Sequence, residues 1–259
     1  MDLGLSGRKA IVCASSRGLG KGCALALAEA GVAVVVNGRD EATLKATADE
    51  LHERTGAEIT AIAADVSTSD GQAKLLEACP EPDILVNNNA GPPHRDFREL
   101  DRQAMLDGVV MNMITPIQLI QAIMDGMIAR KFGRIVNITS ASVRMPLVGL
   151  DLSSGARAGL TAFVAGIARQ VVEHNVTINH ILPGAIDTDR LRSGLKYAAE
   201  RQGKSPDEIE VVRKQAIPAK RFGNPEEFGK ACAFLCSTHA GYITGQSLLI
   251  DGGAFNGTV

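Results

Sequence analysis

The sequence predicts an α/β fold: a single-domain, doubly wound Rossmann-type parallel sheet of about seven strands with helices on both faces. Three observations predict it. Short β-branched runs alternate with segments of helical periodicity along most of the 259 residues, the rhythm of strand–helix–strand crossovers. The strand candidates are continuous apolar runs, as expected of strands covered on both faces. The first of them enters a glycine-bearing turn and then a helix, "CASSRGLGKG" at 13–22, the junction where such sheets bind a pyrophosphate.

The elements follow in order. "KAIVCAS" (9–15) is the first strand, and residues 19–30 form the helix after it. "VAVVVNG" (32–38), a helix over 41–54, "AEITAIAAD" (57–65) and a helix over 69–78 continue the pattern. "DILVNN" (83–88) is the fourth strand, and 100–130 the long helix that follows. "GRIVNITS" (133–140), a helix over 155–173, "VTINHIL" (176–182), a helix over 225–238 and "SLLID" (247–251) complete it. Residues 188–222 break the rhythm: they are long, charged and helical in composition. An insertion of this length between a strand end and the last helix reads as a lid or substrate loop. No repeat, low-complexity stretch or linker divides the chain.

Composition narrows the function. A hydrophobic content of 45% with 22% charged residues is ordinary for a soluble globular protein. A net charge of −2, no Trp and two Tyr offer neither a polyanion-binding field nor a base-stacking surface, so no nucleic-acid partner is expected. The longest uninterrupted apolar runs are too short to span a bilayer, and "MDLGLSGRKAIV" lacks the order of a signal peptide, so a cytoplasmic protein is expected. The five cysteines are irregularly spaced and odd in number, which argues for reduced thiols. Cys232 and Cys236 share a helical face, but no further ligands lie nearby in sequence, so packing and no metal are expected.

In the glycine turn, Gly18 and Gly20 permit a tight bend and close approach of a pyrophosphate to backbone amides. The second strand ends in "VNGRD", with Asn37 and Arg39 where NAD-binding proteins carry an acidic residue. Arg17 stands in the turn itself. Two guanidiniums beside a ribose 2′-phosphate favour NADP(H) over NAD. In "MNMITPIQ", Pro116 lies four residues after Asn112. It removes the i+4 donor of the Asn112 carbonyl and predicts a kink; the freed carbonyl holds a water, or the kink serves helix packing alone.

These motifs, in this order, resemble the short-chain dehydrogenase/reductase superfamily over essentially the whole chain, most closely its 3-oxoacyl-carrier-protein reductase-like branch. "CASSRGLG" is similar to the family's T-G-x-x-x-G-x-G turn, with Cys13 and Ala14 in place of the Thr and first Gly. The resemblance assigns Ser15, Ser16, Arg17, Gly18, Leu19 and Gly20 to the cofactor, and Asp65 with Val66 to its adenine. "NNNAG" (87–91) resembles N-N-A-G with an additional asparagine. The strand before it points to Asn87 as the first member, the trailing Ala90 and Gly91 to Asn88. "LPGAIDT" (182–188) is similar to the P-G-x-x-x-T segment beside the nicotinamide, implying roles for Pro183, Gly184, Ile186 and Thr188. "YITGQSLLIDGGAF" resembles the C-terminal strand that commonly packs across a tetramer interface, so a homotetramer is implied.

The family's reaction is hydride transfer between the nicotinamide and a small-molecule carbonyl or alcohol, supported by an Asn, a Ser, a Tyr and a Lys. Asn112 and Ser140 match the first two. Thirteen places beyond Ser140 stands Ser153, and "ARAGL" sets Arg157 at the lysine position. A serine hydroxyl is a far weaker acid than the phenol, whose ordinary pKa is about 10, and arginine does not act as an ordinary acid or base. Arg157 retains the ability to bind ribose hydroxyls and stabilise an oxyanion. The reading is therefore an NADP(H)-dependent reductase with atypical proton delivery, from Ser140, a water near Asn112, or Tyr197 in the insertion. A lyase or isomerase on the same fold and a non-catalytic nucleotide-binding subunit are the alternatives.

Overall fold

The computed structural model describes residues 1–92 and 94–257. Seven parallel strands form one sheet in the order β3-β2-β1-β4-β5-β6-β7. They are β1 (Lys9–Val12), β2 (Ala33–Gly38), β3 (Ile59–Ala63), β4 (Ile84–Asn87), β5 (Gly133–Ile138), β6 (Val176–Pro183) and β7 (Ser247–Ile250). The order reverses between β1 and β4, so the carboxyl ends of these two strands flank the crevice where doubly wound sheets bind ligands. β1 stops three residues short of its sequence limit. Ala14 takes φ +44°, in the left-handed region, and no strand continues through it.

The helices are α1 (Gly18–Glu29), α2 (Glu41–Thr55), α3 (Ser69–Ala78), α4 (Arg102–Val109), α5 (Thr115–Ala129), α6 (Asp151–Val171), α7 (Asp189–Gln202), α8 (Pro206–Ala216) and α9 (Pro225–Cys236). α1, α2 and α9 bury their apolar residues on one face of the sheet. α3, α5 and α6 do so on the other. α1 and α9 meet backbone to backbone: a Cβ on Gly229 would overlap the Gly22 carbonyl, and one on Gly22 the Pro225 carbonyl. Cys23, Cys232 and Cys236 fill the core beside that contact. Hydrogen bonding among these thiols, together with burial, holds Cys232 and Cys236 well above the ordinary thiol pKa, so they pack as neutral groups.

The predicted long helix is continuous from Arg102 to Ala129, with a π-helical segment near its middle. A π-helical segment, Val110–Ile114, joins α4 to α5, with Pro116 in the first turn of α5. The Thr115 N–H reaches the Val110 carbonyl, five residues back, which absorbs the missing proline donor as a bulge. This helix is long and apolar enough to cross a membrane by length and composition, contrary to the expectation drawn from uninterrupted runs. Scattered polar residues had hidden its length. Its buried apolar residues Leu119, Ile120, Ile123 and Met127 lie in the core under β5.

The insertion folds as the pair α7–α8. Thr188 and Ser205 cap the two helices, Ser205 in a reciprocal capping box with Glu208. Leu195, Ala199 and Ile209 make a small apolar cluster of their own, apart from the two cores of the sheet.

Candidate active site at the carboxyl edge of the sheet

The turn after β1 is built around two left-handed residues, Ala14 and Gly18 (φ +44° and +54°). Gly20 admits no side chain, because a Cβ there would overlap the Ala14 carbonyl and stand 2.8 Å from the Ser15 Cα. α1 starts with Arg17 as its N-cap, without a side-chain cap and without an acidic residue in its first turn. Its first N–H groups and dipole are thus left to an anionic ligand or to solvent.

Ser15 and Asn37 sit behind this turn. The Ser15 hydroxyl donates to the Val12 carbonyl (2.7 Å) and accepts from the Asn37 N–H (2.9 Å). Asn37 Oδ1 accepts from the Ala14 N–H (3.1 Å), and its Nδ2 donates to the carbonyls of Ile62 (3.1 Å) and Ala64 (3.0 Å). Both residues are buried. Their side chains brace the turn from behind, so any contact of these two residues with a cofactor would come from the backbone. Arg17 and Arg39 are exposed at its rim. Arg17 donates to Thr43 Oγ1 (3.2 Å) and stands 3.8 Å from Asp189. Asp40, next to Arg39 in sequence, is occupied in capping α2 through the Thr43 N–H (2.8 Å). Asp65 is exposed and accepts from the Ser67 N–H (2.9 Å), while Val66 is buried.

The three consecutive asparagines do three jobs. Asn87 Nδ2 donates to Asn137 Oδ1 (2.9 Å), linking β4 to β5. Asn88 Nδ2 donates to the Ala14 carbonyl (3.1 Å) and supports the strained turn. Asn89 Nδ2 bridges Ser67 Oγ (2.9 Å) and the Met111 carbonyl (3.2 Å) of the π segment. The carbonyl held by a side chain is therefore that of Met111; Asn112 contributes its amide instead. Asn112 is buried, with Nδ2 donating to the Gly108 carbonyl (3.4 Å) and Oδ1 without a partner. Asn112 lines a cavity of about 20 Å³ together with Asn87, Asn137 and Arg157, enough for one water. Asn137 Nδ2 likewise has no partner there.

Ser153 and Arg157 lie one turn apart on α6 and both point inward, 5% and 8% exposed. Arg157 Nε donates to Ser153 Oγ (3.2 Å) and Nη1 to the Ile138 carbonyl at the end of β5 (2.7 Å). Burial, and then the positive field of Arg190, pulls the Arg157 guanidinium down to about 10, so it is still a cation at neutral pH. Ser140 Oγ accepts from the Ser142 N–H (3.1 Å), and Ser154 Oγ donates to Ser142 Oγ (2.8 Å), tying α6 to the loop after β5.

The other wall follows β6. Gly184 leaves no room for a Cβ, which would fall 2.6 Å from that of Asp251. Ile186 is buried, and Thr188 leans on the glycine turn: its Cγ2 lies 3.3 Å from where a Gly18 Cβ would be. Arg190 donates to the carbonyls of Gly91 (2.9 Å) and Pro92 (3.1 Å), clasping the segment after Ala90. Tyr197 is engaged elsewhere, stacked on His94 with centroids 6.4 Å apart and accepting from Arg201 Nη1 (3.4 Å). Of the expected residues, the glycine turn, Asn88, Asn112, Ser140, Ser153, Arg157, Pro183–Thr188 and Gly91 converge on the carboxyl edge of the sheet. Asn89, Asn137, Ser142, Ser154 and Arg190 join them without having been singled out from sequence; only the surplus asparagine had marked Asn89.

A family model described as enoyl-(acyl carrier protein) reductase matches residues 13–254. The chain is 31% identical over 259 residues to the 3-oxoacyl-[acyl-carrier-protein] reductase FabG of Aquifex aeolicus, covering 98% of this chain and 100% of that one. The chain belongs to the short-chain dehydrogenase/reductase superfamily. Another relative in the superfamily is the NADPH-dependent reductase BacG of Bacillus subtilis, 30% identical over 255 residues, or 96% of this chain and 98% of the relative. Among solved structures, the L-sorbose reductase of Gluconobacter frateurii, complexed with NADPH and L-sorbose, superposes with a TM-score of 0.94 over 100% of both chains at 28% identity.

Proposed function

We propose that the protein is an NADP(H)-dependent reductase of small carbonyl compounds in which Ser153 and Arg157 stand where the superfamily carries Tyr and Lys. The observation that carries the reading is the buried Ser153–Arg157 pair beside the Asn112 cavity, at the end of β5 and across from the glycine turn. The residues present fit the dinucleotide. Gly18 and Gly20 open a cradle that any Cβ would fill, the α1 N-terminus has no acid of its own, and Arg17 and Arg39 line the rim where a 2′-phosphate is read. Gly91, Asn88, Pro183, Gly184, Ile186 and Thr188 would hold its nicotinamide half. When bound, NADPH supplies the hydride.

The chain's own residues handle charge and proton. Ser153 Oγ accepts from a guanidinium and Ser140 Oγ from a backbone amide, so each hydroxyl keeps its proton for a substrate oxygen. Arg157 favours negative charge on that oxygen without surrendering a proton of its own. The cavity lined by Asn112 and Arg157 has room for one water, which would donate to the unpartnered Asn112 Oδ1 and sit on the route from solvent to the site. α7–α8 serve as the lid over one catalytic domain, and the exposed Phe163, Tyr242 and Leu248 supply apolar surface for assembly of a cytoplasmic homotetramer.

NADPH and NADH titrations followed by nucleotide fluorescence test the cofactor. NADPH is expected to bind at least tenfold more tightly than NADH, and Arg39→Ala to remove most of that preference. Equal affinities for the two would overturn it.

A further inference from the structure

The α7–α8 insertion leaves and rejoins the sheet at one root. The Asp187 N–H donates to the Gly223 carbonyl (2.9 Å) and the Gly223 N–H to the Ala185 carbonyl (3.0 Å), with Ile186 and Gly223 paired as an isolated parallel bridge. Immediately beyond that root, three consecutive residues reach both banks of the crevice. Thr188 leans on Gly18, Asp189 faces Arg17, and Arg190 donates to the carbonyls of Gly91 and Pro92. The first turn of α7 therefore bridges the glycine turn after β1 and the segment after β4.

The two acids of this stem differ. Asp187 is gripped by Arg192 through both oxygens (3.0 and 3.2 Å). Asp189 has one ion-pair partner among the described residues, Arg17, whose Nη1 lies 3.8 Å from its Oδ2. The other terminal nitrogen of Arg17 donates to Thr43 Oγ1 of α2 (3.2 Å). Both members of the pair are largely exposed, 60% and 75% by side chain. An exposed pair at this separation contributes little to stability, so a stronger anion displaces it. A phosphate monoester is such an anion: it carries more than one negative charge at neutral pH and matches a guanidinium in bidentate geometry.

We propose that Asp189 stands in for the cofactor's 2′-phosphate on Arg17, and that arrival of the phosphate releases the stem of α7 from the glycine turn. This rests on the reading of Arg17 and Arg39 as the 2′-phosphate rim. The phosphate replaces the carboxylate as the partner of Arg17 and repels it as a like charge. A nucleotide with a free 2′-hydroxyl supplies no competitor and leaves the latch closed. The coupling is reciprocal: as the phosphate opens the latch, so the latch opposes the phosphate, and removing Asp189 tightens binding. Asp189 is on this account a specificity-determining residue that also ties the lid to the identity of the cofactor.

Hydrogen–deuterium exchange of the full chain, read over α7, tests the latch, with calorimetric affinities beside it. The probes are adenosine 2′,5′-bisphosphate, which lacks the nicotinamide half that would itself cover Thr188, and adenosine 5′-monophosphate, which lacks the 2′-phosphate as well. The bisphosphate is expected to speed exchange in the first turns of α7 about threefold, and the monophosphate to leave it unchanged. Arg17→Gln should give the fast exchange without ligand. Asp189→Asn should do the same and bind the bisphosphate about threefold more tightly, while Asp189→Glu restores the slow exchange. A carboxylate at a helix N-terminus also supports its own helix. Were that its whole role, Arg17→Gln would leave exchange slow, and Asp189→Asn would raise it equally with Arg17 or Gln at position 17. That pattern, or bisphosphate bound with α7 unchanged, would overturn the inference. Failure of both NADPH and the bisphosphate to bind, measured first, overturns the cofactor reading itself.

Discussion

In the proposed reductase, Ser153 would keep the position of the superfamily's tyrosine and change its chemistry. Its hydroxyl is held by Arg157 Nε at 3.2 Å, so the cation beside it favours the alkoxide, but far less than a phenol's own acidity would. Ser153→Ala is expected to lower kcat about tenfold to a hundredfold with NADPH affinity unchanged, as measured by steady-state kinetics beside a nucleotide titration. Arg157→Lys combined with Ser153→Tyr should shift the pH profile of kcat/KM toward that of a phenol–ammonium pair; an identical profile would mean that these positions do not face the substrate. Arg157 also has a sign to its electrostatics. Burial lowers its pKa, so protonation favours the unfolded chain at every pH below the folded value of about 10. The cation is retained at the expense of stability, as expected of a functional group.

At the level of elements, the glycine turn and the π segment set the site's geometry, and they differ in how far sequence could foresee them. The turn was readable because Gly18 and Gly20 have no substitute: one adopts positive φ and the other touches the Ala14 carbonyl. Gly20→Ala is expected to destabilise the fold by about 1–3 kcal/mol through overpacking and to weaken NADPH binding at least tenfold, measured by urea denaturation and fluorescence titration. The π segment was half readable. Pro116 announced a fault in the helix, but whether five backbone bonds bulge or kink depends on what packs around them. Here Asn89, donating to the Met111 carbonyl from a different strand end, fixes the outcome. At Asn37 and Ser15 the motif left the side-chain direction open, since it records proximity; both turn to backbone groups behind the turn. The α7–α8 insertion was seen as helical and charged, while its own apolar cluster, which joins Leu195 and Ala199 on one helix to Ile209 on the next, was not.

On the scale of the whole molecule, a polar row crosses the sheet on the α5–α6 face. Asn87, Asn137, His180 and Ser247 occupy consecutive register positions on β4, β5, β6 and β7. His180 is 2% exposed, its Nδ1 has no partner, and burial alone pulls its pKa down to about 4 from 6.5. The unfolded chain therefore binds this proton first as pH falls. Its contribution is present above pH 6.5 and lost progressively towards pH 4. Between pH 7 and 5 the loss is about 2 kcal/mol. Urea denaturation at the two pH values should show it, and His180→Asn should remove most of the difference; an unchanged difference would assign the acid sensitivity to other groups.

The separate core of α7–α8 has a kinetic meaning. The pair is fastened to the cleft by long arginine contacts, Arg190 on Gly91 and Pro92 and Arg17 towards Asp189, while its apolar cluster stays within the hairpin. In the lid role proposed for it, the pair would move as a unit with its own apolar cluster intact. A turnover limited by that movement would slow as solvent viscosity rises, whereas one limited by the bond-making step would not.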